Sequence, residues 1–416
     1  MMRSYFLFAL SFFVLLLDFY CYKAIINTFK NWSVTKKGNF GFIWFAFSIL
    51  LIIGVFAAIF LNLFLSLRAI ILVAFFLSVV AKVFMLPFLV VDDLRRLYIL
   101  IFNLKKNQQT NETNRTSNQP ISRSAFLTKA GLVAAAVPLS SLSWGIISGA
   151  YDYNIKRVKL ILPNLPKAFD GIKLAQISDI HSGSFYNKTA VKGGVEMLMA
   201  EKPDFVFFTG DLVNNLTKEV KDYQDIFAKI KAPLGVYSTL GNHDYGDYYY
   251  GRESSPAKFK NLQDMVKIHQ QMGYGLLMNE NRRLKVDGEE IGILGIENWG
   301  MGRFPKYGKM ELAVKNTEDL PVKLLLSHDP SHWRGEVLEK YSDIDAMFSG
   351  HTHGMQFGVR LKEFQWSPVQ YIYKEWAGLY AEKHQQLYVN VGYGYLGYPG
   401  RVGVLPEITI FELKRS

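Results

Sequence analysis

The sequence predicts an α/β domain preceded by an α-helical transmembrane region. Three observations carry this reading. Four long stretches almost free of charge fill most of the chain before Tyr151. From Lys173 onward, short apolar runs alternate with stretches of helical spacing. Several of those short runs end in Gly, Asp, Asn or His, as strands do when they stop at a working loop.

The 416 residues suffice for two folding units, and charge divides them. Before Tyr151 stand 14 Lys/Arg against 4 Asp/Glu; after it stand 33 against 32. The net charge of +11 therefore belongs to the first third of the chain. A basic balance confined to loops between apolar runs indicates a membrane partner and no nucleic acid. Cys21 is the one cysteine, which excludes an intrachain disulfide and a cysteine metal site.

Residues 5–22 are apolar except for Asp18, 41–67 carry no charge, and 69–91 carry only Lys82. A helix needs about 20 apolar residues to cross a hydrocarbon core of roughly 30 Å, so residues 1–91 read as three transmembrane helices. A cleaved signal peptide fits the first run poorly, since two more runs follow and no small-residue cleavage site is evident. Asp18 and Lys82 lie in otherwise apolar runs and are read as facing a helix–helix seam. Residues 92–129 form a basic polar linker with a low-complexity tract at 107–119. Residues 130–150 are rich in small side chains, are broken by Pro138, and read as a fourth spanning or interfacial segment. Just before it, residues 122–131 have the pattern of a twin-arginine export signal with one arginine missing.

Loop 23–40 holds four lysines and segment 92–129 seven Lys/Arg, whereas Arg3 and Arg68 stand alone on the alternate side. The positive-inside rule puts both basic segments in the cytoplasm and everything after Ala150 on the outer face of the cell membrane. If the fourth segment does not cross, the domain is cytoplasmic instead.

Strands are expected at 173–178, 205–209, 234–240, 291–296, 323–327, 346–349, 386–391 and 407–413, and helices at 188–201 and 256–272. Residues 151–416 are thus one α/β domain. Five strand ends finish in metal-capable side chains: Asp179 and His181; Asp211 and Asn214; Asn242, His243 and Asp244; His328; and His351 and His353. In an extended chain residues i and i+2 point the same way, which lets Asp179 and His181 face one ion, and His351 and His353 likewise. Taken singly, His328 reads as a core histidine and Gly210 with Asp211 as a turn; five such ends in one domain do not.

In their order and spacing the five motifs resemble the calcineurin-like metallophosphoesterases, a likeness that covers residues 151–416. The resemblance implies a four-layer α/β/β/α sandwich and two divalent metal ions. By it, Asp179, His181, Asp211 and His353 hold the first metal, while Asp211, Asn242, His328 and His351 hold the second. His243 is then the catalytic general acid or the stabiliser of the phosphoryl oxygens, with Asp244 orienting it, and Asn214 stands behind the ligands near the substrate. Two dications against two carboxylates leave about +2, a charge that attracts phosphate. Oxygen and imidazole ligands without thiolate suit Mn, Fe or Zn.

The aromatic-rich stretch 364–398 reads as core and sheet packing or as a lipid-facing rim for an acyl chain. Arg401 is a candidate to hold a substrate phosphate or is a surface arginine. Membrane helices joined to this tail also resemble membrane-anchored phosphodiesterases of the UDP-2,3-diacylglucosamine pyrophosphatase type. Hydrolysis of a phosphodiester or pyrophosphate, on a lipid-linked substrate, is therefore expected. The alternatives are a membrane-anchored phosphodiesterase or phosphatase for soluble substrates, and a non-hydrolytic membrane sensor with a metal-binding domain.

Overall fold

A computed structural model describes residues 2–61, 63, 65–102 and 122–415; the tract at 107–119 lies outside the described residues. The chain divides into two compact units, Met1–Trp144 and Gly145–Ser416.

The first unit is built on α1 (Met2–Thr28), α2 (Val34–Phe60), α3 (Leu65–Ile101) and α4 (Arg123–Ile147). All four are long and apolar enough to cross a membrane. Ser33 caps α2 by accepting a hydrogen bond from the Lys36 amide at 3.2 Å. Asp18 and Lys82 meet at 2.6 Å between α1 and α3, and Lys82 also donates to Ser48 of α2. The two charges thus lie on a helix seam, where pairing lowers the cost of burying each. The helices run past the linker boundaries expected at 92 and 129. Asp92 pairs with Arg95 and Arg96 at helical spacing, so these charges extend α3. Ser124 of α4 donates to the same carboxylate.

In the second unit, one sheet contains β1 (Asn154–Ile161), β2 (Lys173–Ile177), β3 (Phe205–Phe208), β4 (Val236–Ser238) and β5 (Gly275–Leu276). The other begins with β6 (Glu280–Val286), β7 (Glu289–Gly295), β8 (Lys323–Leu326) and β9 (Ala346–Ser349). A two-stranded ribbon, β10 (Val359–Arg360) and β11 (Gln365–Trp366), stands apart. Then β12 (Gly378–Glu382) and β13 (Gln385–Val389) join the second sheet, and β14 (Glu407–Lys414) returns to the first. The orders are β1-β14-β2-β3-β4-β5 and β12-β13-β9-β8-β7-β6. Strands β2, β3 and β4 are mutually parallel, as are β7, β8, β9 and β13.

The apolar runs fill both faces of these strands. Phe205 and Phe207 of β3 join Leu324 and Leu326 of β8 and Phe348 of β9 in one core between the sheets. Val206 and Phe208 point the other way, onto Val191, Val195 and Leu198 of α5 (Lys188–Ala200) and Met265 of α6 (Pro256–Met272). On the far side, Leu325 and Met347 pack with Met310, Trp333 and Val337 from short helical segments. Helices, sheet, sheet, helices: the layers are α/β/β/α. Asn187 caps α5; Ser255 caps α6, with Pro256 in its first turn and Gly273 closing it at φ +81°. Because the parallel strands point one way within each sheet, the ends of β2, β3 and β4, and those of β8 and β9, gather their following loops.

Candidate metal centre

Three of those strand ends, those of β2, β3 and β9, hand the chain to a loop with a tight backbone. Asp179, His181, Asp211, His351 and His353 all have left-handed φ, between 49° and 72°. L-residues adopt this region at a cost of roughly 1 kcal/mol or more each, so the surrounding fold must hold them there. Gly350 makes room for the turn. A Cβ there would sit 1.9 Å from Ser178 Oγ and 2.1 Å from Asp179 Oδ2.

The loops bring together two groups, Asp179 with His181 and His353, and Asp211 with His328 and His351. His181 Nε2 lies 3.0 Å from His353 Nε2, and His353 Nε2 lies 3.2 Å from Asp179 Oδ1. His328 Nε2 is 3.3 Å from His351 Nδ1. Asp211 Oδ2 reaches both groups, at 3.5 Å from His181 Nε2 and 3.1 Å from His328 Nε2. The extended geometry expected for the two paired motifs is not what forms. With left-handed backbone at both residues, His351 and His353 separate into different groups.

The donor set fits cations. His181 Nδ1 lies 3.2 Å from the Val213 carbonyl and His328 Nδ1 2.7 Å from that of Thr209. Each carbonyl holds the proton on Nδ1, which turns Nε2 toward carboxylate oxygen and other imidazoles, where either a proton or a cation can sit on it. Such an arrangement is repulsive unless positive charge lies between. Burial disfavours an imidazolium at His328, yet the Asp211 carboxylate outweighs it and raises this residue to about 10. At His181, burial dominates and lowers it to about 3. Asn242 Oδ1 is buried without a hydrogen-bond partner among the described residues, while its Nδ2 donates to Tyr248 Oη at 2.9 Å. A buried amide oxygen left open, one residue from the His243 amide that donates to Asp211, is a donor that a hard or borderline cation can take.

His243 stands beside this cluster. Its Nδ1 lies 2.6 Å from the Asn214 carbonyl, its amide donates to Asp211 Oδ1, and its ring stacks on Tyr248 with centroids 4.4 Å apart. Three expectations need correction here. Asp244 does not orient His243. Its carboxylate accepts from the backbone N–H groups of Gly241, Asp211, Leu212 and Val213, and so ties two loops together. Burial and the like charge of Asp211 push Asp244 up to about 7, a rise that the N–H donors limit. Asn214 turns its amide to Ser184 Oγ at 3.0 Å and meets His243 through its backbone carbonyl, so its side chain is engaged with Ser184 and not held open toward the cluster. Arg401 is neither at the surface nor open to a phosphate. It is 1% exposed and donates to the carbonyls of Gly394, Val391 and Val404, with Nη2 3.2 Å from His353 Nδ1.

Sequence reasoning passed over Tyr373 and Asp329. Tyr373 Oη lies 2.8 Å from His351 Nε2, and Asp329 Oδ2 lies 3.5 Å from both. The one available signal was that Asp329 follows His328 directly. The aromatic stretch splits between its two readings. Trp376, Tyr393 and Tyr395 are core, whereas Phe364, Tyr371 and Ile372 are exposed.

The family description "Calcineurin-like phosphoesterase" matches residues 172–355. The uncharacterized metallophosphoesterase YkuE of Bacillus subtilis is 30% identical over 259 residues, which cover 61% of this chain and 82% of that protein. The chain belongs to the calcineurin-like metallophosphoesterases. Residues 2–150 of this metallophosphoesterase match "Probable Calcineurin-like phosphoesterase, transmembrane domain", in keeping with its four apolar helices; it is a membrane protein. A Danio rerio transmembrane protein with metallophosphoesterase domain is 28% identical over 282 residues, 66% of this chain and 60% of that protein. The chain thus spans less than two thirds of that relative's length. The UDP-2,3-diacylglucosamine pyrophosphatase LpxG of Chlamydia trachomatis is 25% identical over 311 residues, 62% of this chain and 89% of that protein. Family membership implies divalent metal ions, and the two groups of ligands are where they fit.

Proposed function

We propose that this chain hydrolyses a phosphodiester or pyrophosphate bond with two divalent cations, Mn, Fe or Zn. Asp179, His181, Asp211 and His353 hold one, and Asp211, Asn242, His328 and His351 hold the other. The observation that carries this reading is the position of Asp211, whose Oδ2 is within 3.5 Å of imidazole nitrogens from both groups. Such cations supply Lewis acidity toward a phosphoryl oxygen and activate water as the nucleophile. The chain itself supplies proton control. With Nδ1–H held by the Asn214 carbonyl, His243 has Nε2 left to hold or release a proton toward a leaving oxygen. Tyr248, stacked on the ring, restricts its rotation.

A lipid-linked substrate is the further part of the proposal. Membrane helices, the exposed apolar side chains Phe364, Tyr371 and Ile372, and the substrate in the LpxG name support it. The charge distribution of the helices supports an outward-facing catalytic domain.

Full-length protein in detergent with Mn²⁺, assayed on an aryl phosphodiester, an aryl phosphomonoester and UDP-2,3-diacylglucosamine, tests both parts. Turnover of the diester or the lipid nucleotide is expected, falling about 10²-fold or more in His243→Ala. Turnover of the lipid nucleotide supports the lipid part, and in intact cells it places the domain on the cytoplasmic side, against the charge count. Full activity on the diester with none on any lipid phosphate overturns the lipid part alone. Failure on all three substrates overturns the hydrolytic reading and favours the sensor.

A further inference from the structure

The four-helix unit contains two cavities that follow one another along α3 and α4. The first is polar, about 1110 Å³, and lies at the Lys/Arg-rich end of the helices. The second is about 580 Å³ and is walled mainly by Trp44, Ala81, Met85, Leu132, Ala135 and Leu139. Met85 lines the apolar cavity and Leu89 the polar one, which puts the two about one turn apart on α3. On α4, Leu132 and Lys129 mark the same step.

Among the described residues, the charges that line the polar cavity do not cancel. Lys23, Lys30, Arg96 and Lys129 line it against Asp92 and Asp93. Both carboxylates are already engaged, Asp92 by Arg95 and Arg96 and Asp93 by the Tyr20 hydroxyl at 2.6 Å. Among the described residues, no hydrogen bond or ion pair takes up the ammonium of Lys30 or Lys129, and that of Lys23 lies over the Phe19 ring. Three solvent-exposed lysines therefore stand around this cavity, with no carboxylate among the described residues paired to them. In the apolar cavity the opposite holds. Its one charge, Lys82, is paired with Asp18 and bonded to Ser48. A phosphate beside an apolar tail is the chemistry that matches both, and basic pockets between membrane helices bind such head groups.

We propose that this unit binds one anionic phospholipid, its phosphate headgroup against Lys23, Lys30 and Lys129 and one acyl chain in the slot lined by Ala135 and Leu139. All of the residues named for this site belong to Met1–Trp144, and none is a candidate metal ligand.

Full-length protein, delipidated in detergent and exposed to equal phosphatidylglycerol and phosphatidylcholine, would be analysed by native mass spectrometry. One phosphatidylglycerol retained in preference is the expected result. Lys→Gln at positions 23, 30 and 129 should weaken retention by roughly fivefold per lysine, and Lys→Arg should restore it. Ala135→Trp, with every lysine intact, should also reduce retention by filling the slot. Thermal melting of each variant shows that it is folded. Equal retention of both lipids, or no loss in the folded triple Lys→Gln variant, overturns the proposal. Displacement of the lipid by equimolar glycerol 3-phosphate would make the occupant a soluble anion and overturn it as well.

Discussion

Asp244→Asn keeps the shape of the side chain and replaces one carboxylate oxygen by an amide nitrogen. In the fold, Oδ2 accepts from the amides of Gly241 and Asp211, both at 2.9 Å. Oδ1 accepts from Leu212 at 2.8 Å and Val213 at 3.3 Å. Whichever oxygen is lost, an NH₂ then faces N–H donors, and two hydrogen bonds disappear. Above about pH 7, where Asp244 is ionised, bonds to this charged acceptor contribute about 1.5–3 kcal/mol each, a gross loss of about 3–6 kcal/mol. Removing a buried negative charge near Asp211 returns part, so about 2–4 kcal/mol is the net expectation. In a domain of this size that lowers the melting temperature by roughly 4–16 °C. The assay is thermal melting of the full-length variant in detergent, paired with the pH profile of its residual activity. Since the Asn214 carbonyl holds the His243 ring, the profile should keep its limbs while the melting temperature falls. A variant that melts with the wild type but shifts the pH profile would refute this, and would return Asp244 to the role of orienting His243.

Other substitutions test neighbouring parts of the site. Asn242→Ala removes an amide oxygen that has no partner among the described residues, and metal analysis of the purified protein should fall from two bound ions toward one; two ions retained would exclude Asn242 as a ligand. Arg401→Met leaves several buried carbonyls unpaired and should cost about 3 kcal/mol or more of stability with KM little changed; a rise in KM at unchanged stability would restore its substrate-binding role. His269 is buried against Ser238 and burial lowers it to about 3. Because the unfolded chain takes up this proton near pH 6.5 and the fold does not, stability is present above that pH and is lost as pH falls toward 3. The slope is at most about 1.4 kcal/mol per pH unit. His269→Gln should flatten the fall of melting temperature on acidification, and an unchanged slope would contradict it.

Strands buried on both faces were legible because their apolar runs are unbroken, as at Phe205–Phe208 and Ala346–Ser349. The edge strands were not. β6 carries Arg282, Arg283 and Lys285, and β1 carries Lys156, Arg157 and Lys159, charges that protect a sheet edge and hide the strand period. The candidate ligand side chains could be picked out because each stands at or just after the end of an apolar run. Their grouping could not be read from spacing, since left-handed φ at His351 and His353 cancels the alternation that spacing assumes. Asp244 and Arg401 were misread for a shared reason: their partners are backbone atoms, and backbone atoms leave no trace in side-chain identity. Tyr373 was one aromatic among many in its stretch, with nothing local to mark its hydroxyl as the partner of His351.

The position of β14 between β1 and β2 has a consequence for how the protein is made. The first sheet cannot close until Glu407–Lys414 has left the ribosome, although its neighbour Lys173–Ile177 emerges more than 200 residues earlier. At about 5–20 residues per second, that interval is on the order of tens of seconds. The membrane helices emerge before either strand, so the nascent domain waits tethered at the bilayer with a gap in its sheet. Chaperone dependence and sensitivity to premature termination should follow from that wait more than from any weakness of the finished fold.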